Sequence, residues 1–224
     1  MAKVFLSAGH GGSDPGAVAN GLVEKVINLN ALLACKQELE RHGVTVATSR
    51  TTDTDDPVGE EVNEANASGA SIAVSFHANA GGGDGFEAYY YDGDADGLRL
   101  ARLGEKYVKQ LGQNSRGCKG GSHLWFVNST SMTAVLFESF FVDSADKAIG
   151  DTLAEQRAFG VAYAKAILEY LGIAYKSAST QNQSTSTSTS DKIYRVQVGA
   201  FKERKNAERL MAELKSKGYA AFIK

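Results

Sequence analysis

Short apolar runs alternate with longer amphipathic segments over most of the chain, and this alternation limits the fold more than any other feature. The runs have the length and composition of buried strands, at 3–8, 44–48, 71–76, 86–91, 124–127 and 134–137. The amphipathic segments have apolar residues at helical spacing, at 24–42, 58–68, 98–111 and 152–171. Strands and helices in this order predict an α/β fold, with a mostly parallel, mixed sheet that helices cover on both faces.

An uncharged segment of fourteen residues, SASTQNQSTSTSTS at 177–190, divides the chain. Its only apolar side chain belongs to an alanine, so it buries too little surface to offset the entropy of ordering it. We therefore predict a flexible linker between a body, 1–176, and a tail module, 191–224. A strand, a helix and a second strand follow one another in the tail, which predicts one small β-α-β module.

Polar side chains stand where the buried strands of the body end. His10 follows the first strand, His77 follows the third, and Glu138 closes the strand that begins at residue 134. Ligand sites in open α/β sheets lie outside the carboxyl ends of the strands, so we expect these side chains to converge on one crevice. Glu24 begins the first helix after a glycine-rich loop that allows it to fold back toward His10.

These four residues have the chemistry of a hydrolytic zinc site. Two imidazoles and one carboxylate are a common zinc ligand set that leaves a fourth position open, and a further carboxylate is needed to handle protons. Taken singly, a histidine after a strand is usually a loop residue, and Glu24 is an ordinary first-turn carboxylate favoured by the helix dipole. Glu138 is different, because a charge inside so apolar a run is seldom buried without a purpose.

Five blocks of the body resemble the zinc-dependent N-acetylmuramoyl-L-alanine amidases of bacterial autolysins and phage endolysins. They occur in the family's order, as SAGHGGSDPGA at 7–17, GLVEK at 21–25, SRTTD at 49–53, VSFHANA at 74–80 and AVLFESFF at 134–141. The resemblance implies that His10, Glu24 and His77 bind Zn²⁺ and that Glu138 is the general acid/base. It also implies cleavage of the amide between N-acetylmuramic acid and the L-alanine of the stem peptide. We expect further substrate contacts from Arg50, Asn79 and His123.

The tail resembles the SPOR modules that bind the glycan strands of peptidoglycan. The similar stretches are YRVQVGAF at 194–201, NAERL at 206–210 and KGY at 217–219. The resemblance implies wall contacts from Tyr194, Gln197 and Phe201. SPOR modules normally contain two β-α-β halves and this tail has one. The half either pairs with a second copy, packs on the body, or is part of a truncated chain. Its exposed strand edge favours a homodimer formed through the tail.

Two other functions agree with the same pattern of residues. A zinc peptidase would cut within the stem peptide, and a non-catalytic protein would only bind the wall. The complete ligand set together with Glu138 favours an enzyme. The chain has 24 Lys/Arg and 26 Asp/Glu for a net charge of -2. The positive charge of the tail is too modest to indicate a nucleic-acid partner.

No apolar run approaches the ~18 residues of a membrane span, and the N-terminus lacks the pattern of a signal peptide. We therefore expect no membrane span, and synthesis in the cytoplasm. Such a hydrolase would act on the wall only after release, through a phage holin or lysis of the mother cell.

Overall fold

The computed structural model describes residues 2–177 and 203–216. The chain forms two compact units, Met1–Ala178 and Ser179–Lys224. The described part of the second unit is one helix, and it lies within the predicted tail module. The described residues do not include the predicted linker from residue 178 onward, or the tail strands with Tyr194, Gln197 and Phe201.

None of the helices in the described ranges has the length and apolar composition needed to span a bilayer.

A six-stranded sheet forms the centre of the first unit. The strands of this unit are β1 (Lys3–Ala8), β2 (Val18–Ala19), β3 (Leu22–Val23), β4 (Thr45–Thr48), β5 (Ile72–Asn79), β6 (Phe86–Tyr90), β7 (Ser115–Gly120) and β8 (Thr133–Phe141). The order in the sheet is β4-β1-β5-β8-β6-β7, while β2 and β3 pair separately. Within the sheet only β6 and β8 are antiparallel neighbours, which confirms the predicted mostly parallel, mixed sheet.

Helices cover both faces of this sheet. They are α1 (Glu24–Arg41), α2 (Val58–Ala67), α3 (Ala95–Lys109), α4 (Trp125–Ser129) and α5 (Leu153–Tyr170), and α6 (Arg204–Ser216) is the tail helix. One face packs on α1, α3 and α5 over the larger apolar core, and the other packs on α2 and α4 over a smaller one. Gly160 allows α5 to approach α1 closely, because a Cβ there would lie 2.1 Å from the carbonyl oxygen of Ala31.

The structure corrects three predictions of local structure. The segment 124–127 was predicted as a strand, but α4 begins at Trp125 and packs on α2. The edge strand β7 was missed, because SRGCKG has no apolar alternation. The strands β5 and β8 continue past His77 and Glu138. These two residues therefore lie inside paired strands, and only His10 follows the end of its strand.

Candidate active site

The three predicted ligands surround one point. Oε1 of Glu24 lies 3.2 Å from Nε2 of His10 and 3.0 Å from Nδ1 of His77. One donor atom from each residue lies within 4.8 Å of the other two. Tetrahedral zinc with bonds of about 2.1 Å separates its donor atoms by roughly 3.4 Å, so the spacing and the N/O donor set fit this ion.

Backbone geometry holds the three side chains in place. His10 adopts a left-handed φ of 64°, which turns the chain sharply after β1. A Cβ at Gly9 would lie 2.1 Å from the His77 ring, so only glycine leaves room for that imidazole. The Glu24 carboxylate accepts hydrogen bonds from the backbone amides of Ala17 at 2.8 Å and Ala78 at 3.1 Å, which fix both of its oxygens.

The charges of the three residues are strongly coupled. Burial alone would raise the pKa of Glu24, but hydrogen bonds from His10 and His77 hold it well below its usual range. The same hydrogen bond to Glu24 raises the pKa of His10 to about 9 against the effect of burial. Glu24 is therefore an anion at neutral pH, and a cation bound here would displace protons from the imidazoles.

Glu138 lies beside this cluster in the sheet. It pairs with His77 on β5 and with Glu87 on β6. Residues paired directly across neighbouring strands project from the same face, so His77, Glu138 and Glu87 form a row. Oε2 of Glu138 is buried and has no hydrogen-bond partner among the described residues. Burial, with smaller effects from the charges of Glu24 and Glu87, raises the pKa of Glu138 to about 7.

Glu87 is a buried member of the row that was not singled out from the sequence. Its Oε1 accepts hydrogen bonds from Arg116 and Lys119, and its Oε2 accepts them from the Tyr89 hydroxyl and the Asn79 amide. Burial would raise the pKa of Glu87, but the bonds from Lys119, Tyr89 and Arg116 lower it to about 2. The charge inside the apolar run FEAYYY was the available signal, as it was for Glu138.

The predicted substrate contacts divide into two groups. Asn79 donates to Glu87 and therefore lies beside the row. His123 is exposed, and its ring meets the edge of Tyr89 with 6.0 Å between ring centroids. The contact of both residues with substrate stays a prediction.

Arg50, the third predicted substrate contact, is bonded to the backbone of the protein. Its side chain is only 4% exposed, and it donates to the backbone carbonyls of Ala8, Gly9, Lys25 and Thr52. Its guanidinium is buried and bonded to the protein, and its contact with substrate stays a prediction. The hydrogen bonds from Arg50 to Ala8 and Gly9 stabilise the turn that carries His10.

Comparisons with known proteins give two family matches and several similar relatives. The family model described as N-acetylmuramoyl-L-alanine amidase, Amidase_3, matches residues 4–170, and the SPOR domain model matches residues 160–224. The N-acetylmuramoyl-L-alanine amidase CwlM of Bacillus licheniformis is 35% identical over 100% of this chain and 85% of its own. The sporulation-specific N-acetylmuramoyl-L-alanine amidase of Bacillus subtilis is 31% identical over 100% and 84%.

Solved structures give the same result for the first unit. The catalytic domain of CwlV, an N-acetylmuramoyl-L-alanine amidase from Bacillus (Paenibacillus) polymyxa var. colistinus, superimposes with a TM-score of 0.72 at 30% identity. The match covers 78% of this chain and 100% of that one. The amidase AmiC2 of Nostoc punctiforme gives a TM-score of 0.72 at 29% identity, over 76% of this chain and 97% of that one.

Proposed function

The chain belongs to the Amidase_3 family of N-acetylmuramoyl-L-alanine amidases, and we propose that it hydrolyses its substrate in a zinc-dependent reaction with Glu138 as the general acid/base. His10, Glu24 and His77 would hold the Zn²⁺. One observation carries this proposal. Three donor side chains surround a single point, next to a carboxyl group whose pKa of about 7 lies near neutrality.

A zinc ion bound there would lower the pKa of water toward neutrality and polarise the scissile carbonyl. In this proposal the unpartnered oxygen of Glu138 would accept a proton from the attacking water and donate it to the departing nitrogen of L-alanine. A carboxyl group titrating near pH 7 performs both transfers with little energetic cost. Asp14 accepts a hydrogen bond from Nδ1 of His10 at 2.8 Å, which leaves Nε2 directed toward Glu24 and the metal position.

We also propose that the tail binds glycan strands through Tyr194, Gln197 and Phe201, and that it forms a homodimer. The match of the SPOR model supports the glycan contact. A tethered binding module raises the local concentration of the catalytic unit at its insoluble substrate. Light scattering tests the dimer, since a monomeric mass at micromolar concentration would contradict it.

Metal analysis combined with product identification tests the catalytic proposal. Purified protein should contain about one zinc per chain, and digested wall should gain free L-alanine amino termini. Glu24→Gln should lose both the metal and the activity. Glu40→Gln is the matched control, because Glu40 lies on the same helix but is exposed and pairs with Lys36. Cleavage further along the stem peptide would indicate the peptidase instead, and full activity without metal would overturn the zinc proposal.

A further inference from the structure

Two cations on the edge strand β7 lie beside the row of His77, Glu138 and Glu87. Arg116 and Lys119 both contact Oε1 of Glu87, Lys119 at 2.6 Å. The Glu87 side chain is 5% exposed, whereas those of Arg116 and Lys119 are 45% and 38% exposed. One buried negative charge thus anchors two positive charges that remain open to solvent.

An irregularity in β7 brings both cations to one side of the sheet. Lys119 pairs with Tyr89, so it shares a face with Glu87. Arg116 is three residues away and would point to the opposite face in a regular strand. The register with β6 shifts at this position, and β-bulges redirect side chains in this way. Gly117 supports the shift with a φ of 93°, which suits glycine.

Both cations are also held over aromatic rings. The guanidinium carbon of Arg116 lies 5.3 Å from the centre of the Phe141 ring, and Nζ of Lys119 lies 5.9 Å from that of Tyr89. The low pKa of Glu87 keeps its anchoring charge in place at any working pH. The charge of Asp84, an exposed carboxylate, also acts on Arg116. The pair is therefore positioned before any ligand arrives, and its two positive charges share the single negative charge of Glu87.

The spacing of the strands relates this pair to the scissile bond. Neighbouring strands lie about 4.8 Å apart, which puts β7 roughly 10 Å from β8, across β6. A peptide advances about 3.4 Å per extended residue. A stem peptide whose first amide nitrogen lies at Glu138 and which runs across β6 therefore reaches β7 with its second or third residue.

We propose that Arg116 and Lys119 bind a free carboxylate on the second or third residue of the stem peptide, and so favour this substrate over its amidated form. The inference rests on the proposed function, which places the L-alanine nitrogen at Glu138. A carboxylate accepts charge-assisted hydrogen bonds from Arg116 and Lys119, whereas a neutral amide offers them no negative charge.

Soluble muramoyl tripeptides with the second and third carboxyl groups free or amidated, in every combination, test this proposal. Wild type should show a kcat/KM roughly ten- to a hundredfold higher when the recognised carboxylate is free, mainly through KM. The position at which amidation matters identifies which residue is bound. The double variant Arg116→Gln/Lys119→Gln should lose most of this preference, while Arg116→Lys should keep part of it.

Lys36→Gln is the matched control, because it removes a partly exposed, ion-paired cation from α1. A wild type that cleaves all forms equally would overturn the inference. So would a double variant that keeps the preference or loses activity equally on every form.

Binding of the released tripeptide separates this inference from the proposed function. If no substrate is cleaved, the proposed function fails. Tripeptide binding that needs the free carboxylate and weakens in the double variant still supports the cationic pair, and binding that is indifferent to both overturns it.

Discussion

Two glutamates face each other across neighbouring strands of the sheet and have opposite surroundings. Glu138 on β8 pairs with Glu87 on β6. One oxygen of Glu138 has no hydrogen-bond partner in the described part of the chain, whereas Glu87 accepts hydrogen bonds from four side chains. The pKa of Glu138 is raised to about 7 and that of Glu87 is lowered to about 2.

The difference shows that surroundings, rather than residue type, assign the roles in this crevice. Each glutamate interrupts an apolar run, and each was equally visible in the sequence. A carboxyl group that titrates near neutrality suits proton transfer, and one that stays ionised suits the anchoring of cations.

The largest effect is expected for Glu138→Gln. The amide keeps the shape of the side chain but neither accepts nor returns a proton, so kcat should fall by about a thousandfold. Zinc content should stay near the wild-type value, because Glu138 is not among the three side chains that would hold the metal. Retention of more than about a tenth of the wild-type kcat would be incompatible with general acid/base catalysis by this residue.

Much of the fold was predictable, because buried parallel strands leave apolar runs of characteristic length. The edge strand β7 was not, since its side chains are polar and half exposed and its register shifts against β6. Its absence from the prediction also hid the partners of Glu87. Local pattern identifies a charged residue in an apolar run, but the groups that surround it come from distant segments.

The candidate site shows the same limit. His10, Glu24, His77 and Glu138 were selected by residue type and position in the pattern, and the structure brings them together. Arg50 was selected in the same way and proved to be buried, because its partners are backbone carbonyls that no sequence pattern marks.

The second effect concerns stability, and Glu87→Gln should reveal it. The folded pKa of about 2 lies below the ordinary value of 4.5, so the charge of Glu87 stabilises the fold fully above pH 4.5. This contribution is lost as the pH falls toward 2. The shift corresponds to at most about 3 kcal/mol, and about 2 kcal/mol is expected because Arg116 and Lys119 are half exposed.

Urea unfolding of wild type and Glu87→Gln at pH 6 and pH 3 measures this contribution. The variant should be less stable at pH 6, and the difference should shrink at pH 3. A difference independent of pH would indicate lost packing rather than lost charge. Glu105→Gln is a suitable control, because Glu105 also pairs with a lysine but is more exposed and lies on α3.

The smallest effect is expected for Asp14→Asn, which extends the comparison to an exposed carboxylate. Asp14 is 65% exposed and accepts a hydrogen bond from Nδ1 of His10. Outer partners of metal-binding histidines typically contribute ten- to a hundredfold to metal affinity, and solvent screening puts this one at about tenfold. Competition with a chelator measures that affinity.

Asp55→Asn is the matched control, because Asp55 is exposed and binds Ser13 of the same loop but has no bond to His10. Equal losses in both variants would mean that Asp14 only orders the loop, whereas a loss confined to Asp14→Asn would mean that it orients the imidazole.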